Sequence, residues 1–63
     1  MVRSQRIRAG LSLAELEERS GVKVRQLYRI ESGEVTRPRM ATLRALALAL
    51  DVEIEQLLPQ EAA

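Results

Sequence analysis

Residues 11–33 read LSLAELEERSGVKVRQLYRIESG and predict two short helices joined by a tight turn. Ser12 and Glu15 stand three positions apart, in the S-x-x-E pattern that caps a helix N-terminus from both sides. Gly21 ends the helix that they begin, which is only about two turns long. The next helix is predicted from about Val24 to Ser32, where a further glycine stops it. Two short helices in close succession therefore form the centre of the predicted fold.

The rest of the chain also has helical apolar spacing, and no strand-type alternation interrupts it. A last short helix is predicted around Ile54, Leu57 and Leu58, ending at Pro59. The remaining predicted elements are a first helix at about Val2–Ala9, a loop at 34–38 and a fourth helix at about Met40–Leu50. The sequence therefore predicts an all-α, compact five-helix fold in a single domain that spans residues 1–63, of which 59–63 form a frayed tail.

The composition excludes several classes of protein. With 63 residues and no Cys or His, the chain makes one domain without disulfides, a Cys/His zinc site or a Cys or His nucleophile. Its 46% of apolar residues is too high for a disordered chain. It has no phosphate-cradling glycine loop, secretory segment or apolar run of about 18 residues. We expect a soluble, cytoplasmic chain that is not an enzyme and holds no metal or cofactor. The initial Met and short tail are typical of a near-complete minimal domain.

The net charge of +1 conceals charges that are sorted along the chain. Segments 1–11, 23–30 and 37–44 each carry +3, whereas residues 45–63 carry −4. If the fold gathers the basic segments on one side, a nearly neutral chain presents a face that suits a polyanion. The members of that face would be Arg3, Arg6, Arg8, Lys23, Arg25, Arg29, Arg37 and Arg39. The alternative is that these charges are scattered over solvated helix faces.

The outer face of the helix at 24–32 has the chemistry needed to read bases. The major groove of DNA is about 12 Å wide and admits a helix. Arg25 and Arg29 each offer a rigid fork that matches the two acceptors of guanine, and Gln26 can pair with adenine. Tyr28 can serve bases or phosphates. The alternative is a solvated helix face against which Tyr28 is half packed.

These features together resemble the lambdoid phage repressor and Cro proteins and the wider Xre-type transcriptional regulators. The resemblance runs from about Arg6 to Leu58, with four motifs in the order and spacing of the family. They are RIRAGLSLAEL (6–16), GVKVRQLYRIESG (21–33), RPR (37–39) and LALDVEIEQLL (48–58). The resemblance implies a lambda-repressor-like domain with a helix-turn-helix at about 12–32. It also implies a sequence-specific regulator of transcription, a repressor, that places the helix at 24–32 in the major groove of double-stranded DNA.

The resemblance also implies roles for single residues. The expected contacts to base edges come from Val24, Arg25, Tyr28 and Arg29. The expected contacts to the DNA backbone come from Ser12, Lys23, Gln26, Arg37 and Arg39. Arg6 and Glu31 match a pair that forms a buried salt bridge in phage repressors, so we interpret both as structural.

The chain departs from the family pattern at four positions near the turn. Leu13 stands where many relatives have a DNA-contacting Gln, which indicates apolar packing instead. Glu17 replaces the usual Ala, and either pairs with a neighbouring Arg or indicates a looser helix pair. Lys23 replaces the usual Ser or Thr cap of the recognition helix, and Val24 replaces a frequent polar residue. Val24 can still touch a thymine methyl group.

Members of the resembled family commonly dimerise through the region after the fourth helix. The resulting candidates for a dimer interface are Val52, Ile54, Leu57 and Leu58. Leu43, Leu46, Ala47 and Leu50 of the fourth helix have core spacing. Ala41, Ala45 and Leu48 lie on another side, either buried in the same chain or part of a dimer contact. We expect a homodimer on a palindromic operator.

Two alternative functions use the same fold. One is an antitoxin or controller protein, which represses its own operon and also binds a toxin or other protein partner. The other is a protein–protein interaction module that has lost DNA binding, against which the polar, basic helix at 24–32 argues. For either regulator we expect a bacterial or phage-encoded chain that is associated with the nucleoid when bound to DNA.

Overall fold

The structure, a computed structural model, describes residues 1–58, and these form α-helices and one 3₁₀ turn with no strand. The helices are α1 (Val2–Arg8), α2 (Leu13–Ser20), α3 (Val24–Glu31) and α4 (Met40–Leu50). The 3₁₀ turn covers Ile54–Gln56. The predicted all-α class is confirmed, and the helix bounds differ from the predicted ones by one residue at most for these four helices. The predicted frayed tail at 59–63 lies outside the described residues.

The prediction of five helices was wrong, because the last element is a single 3₁₀ turn. Asp51 ends α4 in the left-handed conformation, with φ of 56°. Glu53 stands at the N-cap position of the next turn, and its amide donates to Gln56 Oε1 over 2.9 Å. Pro59 lacks an amide hydrogen and disfavours a helical Leu58, so too few residues remain for an α-helical turn.

The start and end of α2 follow from local chemistry. The Ser12 hydroxyl accepts from the Glu15 amide over 3.1 Å, and the Glu15 carboxylate accepts from the Ser12 amide over 2.9 Å. This is the capping box that the sequence predicts. Gly21 ends the helix with φ of 79°, a conformation that glycine adopts without the strain that a side chain would add. The short α2 is therefore held at both ends by its own sequence.

The core forms where α2 packs on α3 and α4, and where α1 packs on the same two helices. Leu16, Leu27 and Leu46 are fully buried, one each from α2, α3 and α4. The other buried apolar residues are Val2, Leu11, Val22, Leu43, Ala47, Leu50 and Leu57. The predicted core positions of α4 are thus confirmed. Because α3 contributes Leu27 at its centre, the core sets which of its faces remains outside.

The two ends of the described chain meet beside the core. The Met1 ammonium donates to the Gln56 carbonyl over 2.6 Å, and Leu57 is buried nearby with 4% of its surface exposed. The longest helix, α4, has 11 residues, and among residues 1–58 no helix has the length and apolar character needed to cross a bilayer. The packing of Leu57 makes the segment after α4 part of the same small domain.

Candidate nucleic-acid interface

Helix α3 has one face in the core and one face in solvent. Leu27 is fully buried and Ile30 packs against the core. The exposed residues of the helix are Arg25, Gln26, Tyr28 and Arg29, and Val24 is half-buried. Tyr28 has 65% of its surface exposed, so it does not act as core filler. The structure thus brings together the side chains from which the sequence predicts base reading, with Val24 offering a smaller surface than the others.

Glu17 caps α3 from the preceding helix. Lys23 occupies the N-cap position of α3 and makes no side-chain cap, since an ammonium has no acceptor. Instead, Glu17 Oε1 accepts from the Val24 amide over 2.7 Å. Its other oxygen, Oε2, lies 4.0 Å from Lys23 Nζ. The sequence analysis expected Glu17 either to pair with a neighbouring Arg or to indicate a looser helix pair. Both expectations are corrected, because its carboxylate lies beside Lys23 and joins α2 to the start of α3 through a hydrogen bond.

The Ser20 side chain also stabilises the turn between α2 and α3. Its hydroxyl donates to the Leu16 carbonyl over 2.7 Å and accepts from the Val22 amide over 3.1 Å. Side chains of α2 therefore satisfy two of the amides in and just after the turn, at Val22 and Val24. These bonds fix the backbone of the turn that joins α2 to α3.

Arg29 has an acidic partner that the sequence analysis did not identify. Its Nε lies 3.2 Å from Glu34 Oε2, and both side chains are more than half exposed. The Val35 amide donates to the Arg29 carbonyl over 3.1 Å and keeps the loop close to the end of α3. The sequence feature that accompanies this contact is Glu34 itself, an acidic residue directly after Gly33, where the chain reverses. To reach a guanine, Arg29 has to leave or share this carboxylate.

An open groove of about 350 Å³ lies between α1, the start of α2 and the end of α3. The groove is lined by Arg3, Arg6, Leu13, Tyr28, Glu31 and Ser32. Leu13 is half-buried and packs against the core, as its apolar character indicates. Arg3 is one of the basic residues expected on a common face, without an assigned contact to bases or to the DNA backbone. Its position beside Tyr28 extends the basic surface of α3 onto α1.

Ser12, Arg37 and Arg39 lie outside α3. The Ser12 hydroxyl accepts from the Glu15 amide at the start of α2, and the residue is exposed. Hydrogen bonds from Ser12, above all from its backbone amide, hold the pKa of Glu15 below its ordinary value. Arg37 and Arg39 are exposed on either side of the half-buried Pro38. Arg39 also occupies the N-cap position of α4, with an extended backbone. Both arginines thus stand at exposed positions beside the start of α4.

Arg6 and Glu31 form an ion pair between α1 and the end of α3. Arg6 Nε is 2.8 Å from Glu31 Oε2, and Nη2 is 2.9 Å from Oε1. The side chains are only 14% and 8% exposed. The hydrogen bond to Glu31 raises the pKa of Arg6 above its ordinary value, so the guanidinium stays charged. Within residues 1–58, no cluster of acidic side chains is arranged to hold a metal ion.

The comparison with known families covers nearly the whole described chain. A family model described as helix-turn-helix matches residues 2–57, which include α1 to α4 and the 3₁₀ turn. No solved structure matches the chain. The match therefore agrees with the fold that the helices display.

Proposed function

The chain belongs to the Xre/lambda-repressor-like helix-turn-helix family of DNA-binding regulators, and we propose that it is a sequence-selective repressor that reads duplex DNA with α3. The observation that carries this proposal is the division of α3, with Leu27 fully buried and four polar or basic side chains in solvent. An acidic or apolar outer face would instead favour a protein-binding module. An antitoxin or controller protein of this fold would bind DNA through the same face.

In this proposal Arg25 and Arg29 make the main contacts to base edges. Each guanidinium can donate two hydrogen bonds to the O6 and N7 atoms of guanine. Tyr28, three residues after Arg25, is also exposed, and the half-buried Val24 is limited to a contact with a thymine methyl. Arg29 gives up its ion pair with Glu34 when it enters the groove. Selectivity then rests on a small number of side chains.

Contacts to the phosphate backbone hold α3 in place. Lys23, with its side chain 80% exposed, stands at the entry of the helix. The other proposed backbone contacts are Ser12, Gln26, Arg37 and Arg39, to which the groove beside Tyr28 adds Arg3. Such contacts attract every duplex alike and carry no base information. A chain that binds DNA acts in the compartment that contains the genome. For a bacterial or phage-encoded regulator this compartment is the cytoplasm.

We also propose that two copies associate through the surface around Leu48, here called the Leu48 surface. Leu48 is 84% exposed, beside a groove of about 300 Å³. The groove is lined by Arg44, Ala47, Leu48, Val52, Glu53 and Ile54. In a two-fold arrangement Leu48 of each copy enters the groove of the other, and Arg44 of one copy faces Glu53 of the other. Such a homodimer would suit a palindromic operator.

The Leu48 surface changes the set of expected dimer residues. Leu57, a candidate from the sequence, belongs to the core and has no side-chain surface for a second copy. Val52 and Ile54 are half-buried and line the groove. Leu58, which is 39% exposed, stays a candidate. Burial within the chain, the other reading of Leu48, is excluded by its exposure.

The experiment that tests DNA binding is a fluorescence-anisotropy titration with a random duplex at several salt concentrations. If several phosphates are contacted, affinity falls steeply from low to moderate salt. Lys23→Ala should reduce the slope of log K against log salt by about one. Arg19→Ala removes the same charge from α2 outside the proposed interface and should leave the slope unchanged. No measurable binding at low salt would refute the proposed function.

A further inference from the structure

We propose that Glu17 is a positioning residue that raises the selectivity of DNA binding, and this inference rests on the proposed function above. Its carboxylate fixes the first turn of α3, which only a base-reading complex needs in a defined place. The same negative charge weakens the attraction of Lys23 for phosphate in every complex. By fixing that turn, Glu17 favours the specific complex over the non-specific one, whereas its charge lowers both affinities alike.

Helix α3 has no side-chain cap from its own N-cap residue. The first amides of a helix have no partner within the helix and need an acceptor. Lys23, at the N-cap position, supplies none. The Glu17 carboxylate accepts from the Val24 amide over 2.7 Å in a partly buried position. Because Glu17 belongs to α2, this bond fixes the start of α3 relative to the preceding helix and so orients Arg25, one residue further on.

The second carboxylate oxygen of Glu17 acts on Lys23 through its charge. It lies 4.0 Å from Lys23 Nζ, and the Glu17 side chain is 35% exposed. Non-specific binding depends almost wholly on attraction to phosphate, whereas specific binding also depends on the placement of base-reading side chains. A carboxylate beside Lys23 lowers the attraction to phosphate for all duplexes. The hydrogen bond to the Val24 amide improves only the placement of the base-reading side chains.

Two substitutions separate the hydrogen bond from the charge. Glu17→Gln keeps an amide oxygen for the Val24 amide and removes the charge, whereas Glu17→Ala removes both. Glu18→Gln and Glu18→Ala are matched controls, because Glu18 is the exposed neighbour on α2 and makes no hydrogen bond or ion pair within residues 1–58. Affinities are measured by anisotropy for a duplex selected from a random library and for a scrambled duplex, at two salt concentrations.

Glu17→Gln should tighten binding to both duplexes by roughly two- to threefold at low salt and leave their ratio unchanged. Glu17→Ala should lower the ratio of selected to scrambled affinity by roughly three- to tenfold, the factor expected for a lost helix cap. Adding Lys23→Ser to Glu17→Ala supplies a local cap and should restore part of the ratio. The Glu18 variants should keep the wild-type ratio.

Amide hydrogen exchange provides a readout without DNA. Exchange at Val24 should accelerate in Glu17→Ala, stay close to wild type in Glu17→Gln, and be unaffected in both Glu18 variants. A wild-type ratio in Glu17→Ala, or unchanged exchange at Val24, overturns the role of Glu17 while DNA binding stands. If the wild type binds neither duplex, the proposed function fails and the role of Glu17 in selectivity fails with it.

Discussion

Arg6 of α1 and Glu31 at the end of α3 are joined through two hydrogen bonds, and the remaining Arg6 nitrogen, Nη1, donates to the Leu11 carbonyl over 2.8 Å. One guanidinium thus connects the first helix, the segment before α2 and the proposed recognition helix. Both charged side chains are nearly buried, so each depends on the other for compensation. The position of α3 on the core therefore depends on a polar contact as well as on Leu27.

Removing the charge of Glu31 should destabilise the fold more than it alters DNA preference. In Glu31→Gln the Arg6 charge remains nearly buried without its counter-ion, so the free energy of unfolding should fall by about 3 kcal/mol. Urea unfolding measures the change. Glu34→Gln is the matched control, because it breaks the exposed pair with Arg29 and should cost less than about 1 kcal/mol. Equal unfolding midpoints for Glu31→Gln and wild type would contradict the structural role.

The capping box at Ser12 should contribute to acid sensitivity. Because the pKa of Glu15 is lowered in the folded state, the unfolded chain binds the proton first as the pH falls. The stabilisation is therefore complete above the ordinary value of 4.5 and is lost as the pH falls through the lower folded value. Glu15→Gln keeps an acceptor for the Ser12 amide but does not titrate there.

Unfolding midpoints in urea between neutral pH and about pH 3 test this expectation. The wild type should lose more stability over this range than Glu15→Gln does. Glu18→Gln, which removes a carboxylate from the same helix without touching the cap, should follow the wild type. Parallel curves for wild type and Glu15→Gln would show that the capping carboxylate has no part in acid unfolding.

The roles of the arginines should separate in a comparison of duplexes. On a selected duplex, Arg25→Ala or Arg29→Ala should each weaken binding by roughly 1–3 kcal/mol and relax selectivity at one position. Arg39→Ala should weaken binding to selected and scrambled duplexes alike. Anisotropy titrations of all three variants on both duplexes provide the measurement. If Arg39→Ala changes the preferred sequence instead, its assignment to the backbone is incorrect.

Self-association should depend on the exposed face of α4. Leu48→Asp places a charge at the centre of the proposed contact but leaves the core intact, because Leu48 is 84% exposed. We expect the variant to be folded and monomeric at concentrations where sedimentation shows wild-type dimers. Met40→Asp, at an exposed position on α4 that does not line the groove beside Leu48, is the control. A wild type that stays monomeric at all concentrations and on DNA would refute the homodimer.

Local signals made most of the fold predictable from sequence. The capping box at Ser12 and Glu15 and the glycine at position 21 act within a few residues, so their effect on α2 can be read without the tertiary structure. The apolar spacing of α4 likewise predicts which leucines enter the core. The end of the chain was harder, because the 3₁₀ turn depends on where Asp51 reverses the backbone.

The carboxylates around α3 were not predictable in the same way. Glu17 meets the Val24 amide only because the turn folds α2 against α3, and Glu34 meets Arg29 only after the chain reverses at Gly33. Both contacts depend on backbone geometry that residue spacing does not specify. Leu57 is buried whereas Leu48 is exposed, although both are apolar residues in helical segments. This difference is also set by tertiary packing.

The most direct test of DNA reading by α3 is an NMR titration of the nitrogen-15-labelled chain with duplex DNA at low salt. DNA reading by α3 predicts that the largest amide shifts occur at residues 23–29, followed by those at 37–39, while the amides around Leu48 change little as long as the oligomeric state is constant. Absence of shifts, or shifts centred on the Leu48 surface with α3 unaffected, would contradict it.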